Sequence, residues 1–281
     1  METRQSHQTQ TAPVKFTGQA GEYFKIRIVN IALTIVTLGI YSAWAKVRKL
    51  RYFYGNTSIE DGHFDYHAKP KAILIGRIIA VATLFAYYLL SQYFPVAGLV
   101  LISIIVLLIP VLVVRAKIFQ LRNTSYYGLR VNFQRNYKDS FIVFYGGALI
   151  TVFSLGLAAP SAIYMRNKFV ANNAGFGQTP FVFGGRQGEF YAIFWKSVGL
   201  AILGGIVMVM AIGGLGAGVG ALFGDTPAGN GAAVQAITII TMLPLLAFYA
   251  AIGIYVQTRQ TNYVWNSTTL GGNQFESTLS V

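Results

Sequence analysis

The sequence predicts an all-α polytopic membrane protein of four repeated helical-hairpin units, two full transmembrane hairpins and two shallow or re-entrant ones, with short cytoplasmic β-strands between units. Three observations lead to this fold class: an apolar composition, long intervals without Lys or Arg, and a short phrase that recurs along the chain. Hydrophobic residues make up 54% of the chain and charged residues 11%. An average soluble protein has about 25% charged residues, so the composition argues against a soluble fold.

The two full hairpins follow from where the 22 Lys and Arg residues fall. Intervals free of both residue types cover 28–45, 78–114, 139–165 and 197–258. About 20 apolar residues cross the hydrocarbon core of a bilayer, which is roughly 30 Å thick. The second and fourth intervals are therefore long enough for two spans each. The predicted spans are 76–93 and 97–115, joined near Pro95, and 195–220 and 233–256, joined near Asp225–Pro227.

Glycines of the fourth interval, among them Gly204 and Gly205, have small-xxx-small spacings. Such spacings let two membrane helices approach closely. The interpretation is tight helix packing, with a glycine-lined conduit as the alternative.

The repeat is defined by an Asn that is followed five residues later by Gly, or six residues later in the first copy. The pairs are Asn56 and Gly62, Asn123 and Gly128, Asn172 and Gly177, and Asn266 and Gly271. Three of the units also begin with a Phe followed six residues later by an acidic residue, namely Glu22, Asp139 or Glu189. We therefore predict a disordered tail at 1–13 and one membrane domain at 14–281, with units at about 14–64, 64–133, 131–181 and 181–275.

Two of the units share a further match. Thr34 to Gly39 corresponds to Thr151 to Gly156, and each segment is followed by an aromatic residue two positions before a base. These pairs are Trp44 with Lys46 and Tyr164 with Arg166. Each unit is predicted to contain a helix that begins near the acidic residue and a return helix that ends in bases, as the helix dipole favours. The Asn-to-Gly phrase is then interpreted as a helix stop.

Charge decides the topology of the first and third units. If both were single spans, the bases would divide 9 against 13 between the two sides. If both were hairpins that turn at Leu38-Gly39 and Leu155-Gly156, all 22 bases would lie on one side, as the positive-inside rule favours. This predicts a multi-pass membrane protein with both termini cytoplasmic. Arms of about 10–13 residues rise only about 15–20 Å, so these hairpins would be re-entrant or would lie at the interface.

Few residues offer chemistry. The acidic trio Glu22, Asp139 and Glu189 is interpreted as helix caps or ion pairs with bases such as Lys46, Arg48 and Arg166, or as a polar ring for a cation, a proton or a lipid head group. His63 and His67 would lie about 13 Å apart on a strand, which argues against a metal site. The chain has no cysteine, and no catalytic cluster or cofactor motif is recognisable. The bases flank apolar segments, which argues against nucleic acid and favours anionic lipid head groups at basic helix ends.

The first unit carries a longer signature. Its elements are Phe16-Thr-Gly18, Glu22-Tyr23-Phe24, Asn30, Leu33-Thr34, Thr37-Leu-Gly-Ile-Tyr41, Trp44-Ala-Lys46-Val-Arg48, Arg51-Tyr52, Asn56-Thr57 and Gly62. This signature resembles the YjgN-like family of uncharacterised bacterial inner-membrane proteins. The resemblance implies a cytoplasmic-membrane location and no particular activity. Later units keep only fragments, such as Asp139 in place of Glu.

Two functions remain open from the sequence. One is a small-solute or ion transporter or channel that uses the re-entrant hairpins. The alternative is a non-transporting membrane scaffold or accessory protein for envelope maintenance, with a membrane-protein partner that the sequence does not identify. A membrane enzyme would need a catalytic cluster, so no enzymatic activity is predicted.

Overall fold

The computed structural model describes residues 11–223 and 227–280, with the side chains of 212 and 215–241 left aside. The predicted disordered tail at 1–13 and the turn at Asp225–Pro227 therefore lie largely outside the described residues. The chain divides into two compact units, Met1–Phe141 with Asn173–Pro180, and Ile142–Asn172 with Phe181–Val281.

The described residues contain nine α-helices and nine short strands. The helices are α1 (Ala20–Val36), α2 (Ser42–Gly55), α3 (Pro70–Tyr93), α4 (Pro95–Arg122), α5 (Tyr137–Phe141), α6 (Gly147–Phe153), α7 (Ala159–Asn172), α8 (Gln187–Phe223) and α9 (Pro227–Asn266). A π-helical turn, Ile142–Gly146, joins α5 to α6. The strands are β1 (Val14–Phe16), β2 (Thr57–Ile59), β3 (Gly62–Tyr66), β4 (Thr124–Tyr126), β5 (Leu129–Phe133), β6 (Ala174–Phe176), β7 (Thr179–Phe183), β8 (Thr268–Leu270) and β9 (Asn273–Gln274).

The predicted all-α class is wrong, because the strands pair antiparallel in chain order from β1 to β9. In the first unit, Phe16 pairs with Thr57, Tyr66 with Thr124, and Phe133 with Ala174. In the second unit, the last three residues of β7 pair with β8, and β8 pairs with β9. Strands of two to five residues carry little alternation of apolar and polar residues, so the sequence pattern could not reveal that they join one sheet.

The four-hairpin arrangement of the prediction is also corrected by the number of spanning helices. In the part of the chain that the structure describes, three helices are long and apolar enough to cross a membrane: Pro70–Tyr93, Pro95–Arg122 and Gln187–Ala211. The helices of the first and third sequence repeats are shorter, with 17 residues in α1 and 14 in each of α2 and α7.

The Asn-to-Gly phrase marks the end of a helix, as its interpretation as a helix stop predicts, and also the β-hairpin that follows the helix. The helix ends near the Asn, a three-residue strand follows, and a two-residue turn returns the chain. Tyr127 and Gly128 form one such turn, with φ of 48° and 74°, as a type I′ turn requires. Gly177 and Gly271 also have positive φ in their turns. Gly62, by contrast, is the first residue of β3.

One backbone hydrogen bond recurs at the junction of helix and sheet in all four copies. A backbone N–H donates to the carbonyl of the residue just before the second strand of each pair. The bonds are Thr17 to Asn56 (2.9 Å), His67 to Asn123 (2.8 Å), Gln134 to Asn173 (2.8 Å) and Gly184 to Ser267 (2.8 Å). The structural register thus pairs Asn173 and Ser267 with Asn56, one residue beyond the sequence-aligned Asn172 and Asn266.

The glycine spacing of α8 produces a close contact with α9. A Cβ atom on Gly204 would overlap Cε1 and Cζ of Phe248. We predict that Gly204→Ala lowers the free energy of unfolding by about 1–3 kcal/mol, because overpacking forces two tightly packed helices apart. Thermal unfolding in detergent micelles, followed by circular dichroism, measures this change.

Gly199 of the same helix is the matched control, since a Cβ there meets nothing within 4 Å. Gly199→Ala is expected to stabilise the helix slightly, because alanine has the higher helix propensity. Equal effects of the two substitutions would contradict the packing role of Gly204.

Candidate functional site: two half-length helical hairpins

The first hairpin consists of α1 and α2, and its turn is built from backbone geometry. Leu38 adopts a φ of 50° and Gly39 a φ of 90°. The N–H of Gly39 donates to the carbonyl of Thr34 (2.8 Å), and that of Leu38 to the carbonyl of Ile35 (3.1 Å). This pair of bonds is a Schellman motif, which satisfies the last carbonyls of a helix. The hydroxyl of Thr37 accepts the N–H of Tyr41 (2.9 Å) and closes the turn.

The second hairpin, residues 142–172, repeats this turn 117 residues later. Leu155 and Gly156 have φ of 51° and 90°. The N–H of Gly156 donates to the carbonyl of Thr151 (2.7 Å). The hydroxyl of Ser154 accepts the N–H of Ala158 (2.8 Å), as Thr37 does in the first hairpin. These are the two positions at which the charge argument placed a reversal.

The tip of each hairpin carries an aliphatic side chain that is almost fully exposed. Leu38 is 95% exposed and Leu155 is 93% exposed. A non-glycine residue with positive φ is uncommon, so each turn presents a large apolar side chain in a conformation that glycine or asparagine adopts more easily. The flanking Val36 (79%) and Phe153 (84%) are exposed as well. Exposed apolar surface of this kind marks a site of contact with a membrane or with another protein.

A contact to α3 shows how far along that helix the tip of the first hairpin reaches. A guanidinium N–H of Arg77 donates to the hydroxyl of Ser42, which donates to the carbonyl of Gly39. Arg77 is the eighth residue of the 24-residue α3, about 12 Å along a helix of about 36 Å at 1.5 Å per residue. Leu38 precedes Ser42 by four residues of the turn, which add about 6 Å at the rise of a helix. The tip therefore reaches about half the length of α3.

The second hairpin likewise contacts α8 near the start of that helix. The hydroxyl of Ser161, near the start of α7, hydrogen-bonds that of Tyr191 (2.9 Å) and accepts from the side-chain amide of Gln187. Tyr191 is only the fifth residue of α8. Leu155, six residues before Ser161, is thus within about 15 Å of the level at which α8 begins.

The acidic trio begins its helices as the repeat predicts, but its members have different partners. The phenol of Tyr52 donates to a carboxylate oxygen of Glu22 (3.4 Å). Asp139 accepts the side-chain amide of Asn136 (2.6 Å) and donates its N–H back to that residue, which is a helix cap. Glu189 is exposed. Across the described residues, none of the three carboxylates forms an ion pair.

The predicted bases lie on exposed helix surfaces. Lys46 and Arg48 are exposed on α2 and Arg166 on α7, with the Arg166 guanidinium 5.5 Å from the ring centre of Phe144. Trp44 stacks on Tyr41 at 6.2 Å. Corresponding residues of the two hairpins are 117 positions apart, so Trp44 corresponds to Ser161. The sequence match of Trp44 with Tyr164 therefore does not hold in the structure, and Tyr164 has no aromatic counterpart.

The motif asparagines tie the helix ends to the strands. Asn56 and Asn123 donate their side-chain amides to Tyr52 and Phe119 carbonyls (2.8 and 2.7 Å). The side-chain oxygen of Asn172 accepts the N–H of Phe183 (2.8 Å). That of Asn266 accepts the N–H of Ser277 (2.5 Å). These contacts are structural and place no asparagine in a ligand site.

Beneath the first hairpin, aromatic residues of the sheet pack into the core. Tyr66 is 5% exposed and packs with Val47 and Ala68. Burial raises the pKa of the Tyr66 phenol, and the nearby Tyr54 raises it further. Burial is also the main cause that raises the pKa of Tyr126, whose phenol donates to the Ile59 carbonyl (2.9 Å). Both phenols are therefore neutral at physiological pH and serve packing and hydrogen bonding.

A groove between α8 and α9 forms an apolar concave surface. It is lined by Val198, Ala201, Ile202, Gly205, Ile206, Val209, Met210 and Tyr249. Among these described side chains the Tyr249 phenol is the only polar group, so the groove suits an acyl chain better than a hydrated solute.

Sequence reasoning missed Ser42, Arg77 and Ser161, which set the heights of the hairpins. Serine is too common in loops to stand out. Arg77 carried one signal, since it is the last base before the charge-free interval 78–114. Such a base inside a predicted span indicates a specific partner.

Comparison with known proteins agrees with the first-unit signature. The chain is 34% identical over 120 residues to the inner membrane protein YjgN of Salmonella typhimurium, a match covering 42% of this chain and 30% of the relative. It is 32% identical over 124 residues to inner membrane protein YjgN of Escherichia coli K12, with 44% and 31% covered. The chain thus matches under a third of the length of these relatives. No solved structure matches it. The predicted YjgN-like membership is confirmed, and because the model of the family described as bacterial proteins of unknown function (DUF898) matches residues 11–281, the chain belongs to that family.

Proposed function

We propose that the chain is a scaffold of the bacterial inner membrane that inserts its two half-length hairpins into the cytoplasmic leaflet. In this arrangement both termini and the sheet lie on the cytoplasmic side, and α3, α4, α8 and α9 cross the bilayer. The observation that carries the proposal is the bare leucine, more than 90% exposed, at the tip of each half-length hairpin.

A hairpin that enters one leaflet displaces lipid there and none in the other leaflet. Its tip lies near the bilayer midplane, where an aliphatic side chain is favourable and a backbone turn is costly unless its polar groups are satisfied. The Schellman bonds and the Thr37 and Ser154 hydroxyls satisfy those groups within each turn. The local chemistry therefore suits a lipid-exposed turn, as a scaffold that shapes or orders one leaflet requires.

The arrangement of the carboxylates supports a scaffold over the transporter reading. A transport pathway needs polar groups that converge at membrane depth. Glu22 and Asp139 instead bond to residues at the start of their own helices or at the end of α2, and the groove of α8 and α9 is apolar.

We also infer that the two hairpins arose by internal duplication. The first arm of one hairpin is α1, residues 20–36. The matching arm of the other covers residues 137–153 and consists of α5, the π-helical turn and α6. The first residues of the two arms are 117 positions apart, and so are the last. The turn, the return helix and the next strand keep this spacing. A duplicated insertion element accounts for the identical geometry of tips that share only part of their sequence.

The test is the depth of each tip in a bilayer. Leu38→Trp and Leu155→Trp are placed singly in a background in which Trp44, Trp195 and Trp265 are replaced by Phe. Lipids brominated at known acyl positions then quench the single tryptophan in reconstituted vesicles. Quenching is expected to be strongest with bromine near the chain ends, since the tips lie near the midplane.

Two matched positions bound the result. Phe16→Trp in β1 reports the cytoplasmic side, and Val96→Trp, at the second residue of α4, reports the opposite side. Tips that are quenched no more deeply than Phe16→Trp would refute insertion. In parallel, the leak of protons and potassium ions is measured for vesicles that hold the wild-type protein, Glu22→Gln or Glu189→Gln. A leak that needs these carboxylates would favour transport over the scaffold.

A further inference from the structure

We propose that Arg77 and Ser42 form a binding site for a phosphate group, that of a lipid head group, at the turn of the first hairpin. The inference deepens the proposed scaffold by naming the lipid chemistry it would recognise, and it rests on that proposal for the source of the phosphate.

The site begins with a shared hydroxyl. Ser42 is the first residue of α2, and its single proton goes to the Gly39 carbonyl of the turn. Its oxygen accepts one N–H of Arg77. A guanidinium has five N–H donors, and within the described residues Ser42 is the hydrogen-bond partner the structure gives to Arg77. The remaining donors are available to a planar or tetrahedral oxyanion.

The position of Arg77 within a membrane-spanning helix favours the binding of an anion to its charge. Arg77 lies about 12 Å along α3, inside a helix long and apolar enough to span the membrane. Within the described residues no carboxylate pairs with it. A charged side chain at such depth is costly unless it is paired, and arginine binds phosphate oxygens in a two-point geometry that lysine does not reproduce.

Arg77 does not direct its charge away from the hairpin. Long basic side chains near helix ends usually extend toward the head groups on their own. Here the guanidinium is instead held at the level of the hairpin turn by Ser42. A phosphate bound there would be drawn toward the tip, which thins the cytoplasmic leaflet beside the first hairpin.

The second hairpin provides an internal comparison. At the spacing of 117 residues, Ala159 stands in place of Ser42 and Phe194 in place of Arg77. Phe194 packs edge-on against Trp195 and offers no donor. The chain should therefore hold this phosphate site at the first hairpin and lack its counterpart at the second.

The experiment counts bound lipid on the full-length protein by native mass spectrometry in detergent. Delipidated protein is titrated with phosphatidylglycerol, and in a second arm with diacylglycerol, which has the same tails without the phosphate. We expect Arg77→Gln and Ser42→Ala to lower the affinity for the first phosphatidylglycerol about tenfold and about threefold. Arg77→Lys, which keeps the charge but not the two-point geometry, should fall between wild type and Arg77→Gln.

Lys71→Gln is the matched control, because Lys71 lies on the same helix near its start and is exposed. It should bind like wild type. Unchanged binding by Arg77→Gln, or equal binding of diacylglycerol, would overturn the site. Should Arg77→Gln fail to elute as folded protein, Ser42→Ala and Arg77→Lys decide in its place.

A third arm adds inorganic phosphate alone. Binding that depends on Arg77 and displaces phosphatidylglycerol would support the phosphate chemistry and assign it to free phosphate. Because these measurements are made in detergent, their failure leaves the depth of the hairpin tips unaffected, and the quenching experiment can fail without them.

Discussion

Leu38→Asp combined with Leu155→Asp is expected to expel both hairpin tips from the hydrocarbon core. On scales of membrane insertion, an aspartate at the centre of a span costs about 2.5–3.5 kcal/mol, whereas leucine is favourable. Each tip should therefore shift toward water by about a hundredfold in its equilibrium. Single cysteines at Val36 and Phe153, in this naturally cysteine-free chain, would report the shift through their rate of labelling by a water-soluble maleimide.

The matched control for this pair is Leu38→Asn with Leu155→Asn. Asparagine, like aspartate, tolerates the left-handed backbone conformation at these positions and differs from it only in charge. Labelling with the asparagine pair should remain nearer to wild type. If both pairs label at the wild-type rate, a charge at the tips does not change their exposure to water and the proposed insertion is wrong.

Gly39→Val and Gly156→Val are expected to destabilise the two turns from within. Both glycines have a φ of 90°, a conformation that a β-branched residue adopts only under strain. Such strain costs of order 1–3 kcal/mol at each position. The double variant should therefore lose about 2–6 kcal/mol of unfolding free energy, measured by thermal or denaturant unfolding in micelles.

Gly146→Ala is the opposite control. Gly146 has a helical φ of −57°, and a Cβ there meets nothing within 4 Å. Alanine should stabilise the helix at this point by up to about 1 kcal/mol. Destabilisation by this substitution equal to that by the valine variants would contradict the special role of the two turns.

The sequence revealed the membrane class and the positions of the two reversals because both depend on strong local signals. Long intervals without bases predict spans, and the Thr-to-Gly segments place the turn at Gly39 and Gly156. The observed join between α3 and α4, at Phe94, also lies next to the predicted join near Pro95.

The sheet and the helix-to-sheet register could not be predicted in the same way. A three-residue strand such as Thr57–Ile59 has no periodicity to read, and its pairing with Phe16 depends on a helical hairpin that lies between them in the chain. The shift from Asn172 to Asn173 escaped notice because it is Asn172 that lies five residues before Gly177. The hydrogen bond from Gln134 to the Asn173 carbonyl reveals the structural register.

The candidate site was only partly visible for a related reason. The leucine of each turn belongs to an apolar run, and nothing in the run indicates that its side chain is bare. Arg77 and Ser42 are 35 residues apart, so their contact depends on how α3 packs against α2. Each residue of the acidic trio lies six residues after a Phe. This recurring distance reflects where the helices begin.

The pairing of strands in chain order has a consequence for biosynthesis. Within the described residues every strand pairs with its neighbours in strand order, so a strand waits for the helices that directly follow it and for no later segment. Domains generally fold from the N-terminus as they are made. Each helical hairpin can thus enter the bilayer while its flanking strands extend a growing sheet at the ribosome, which keeps unpaired strand edges short-lived in the cell.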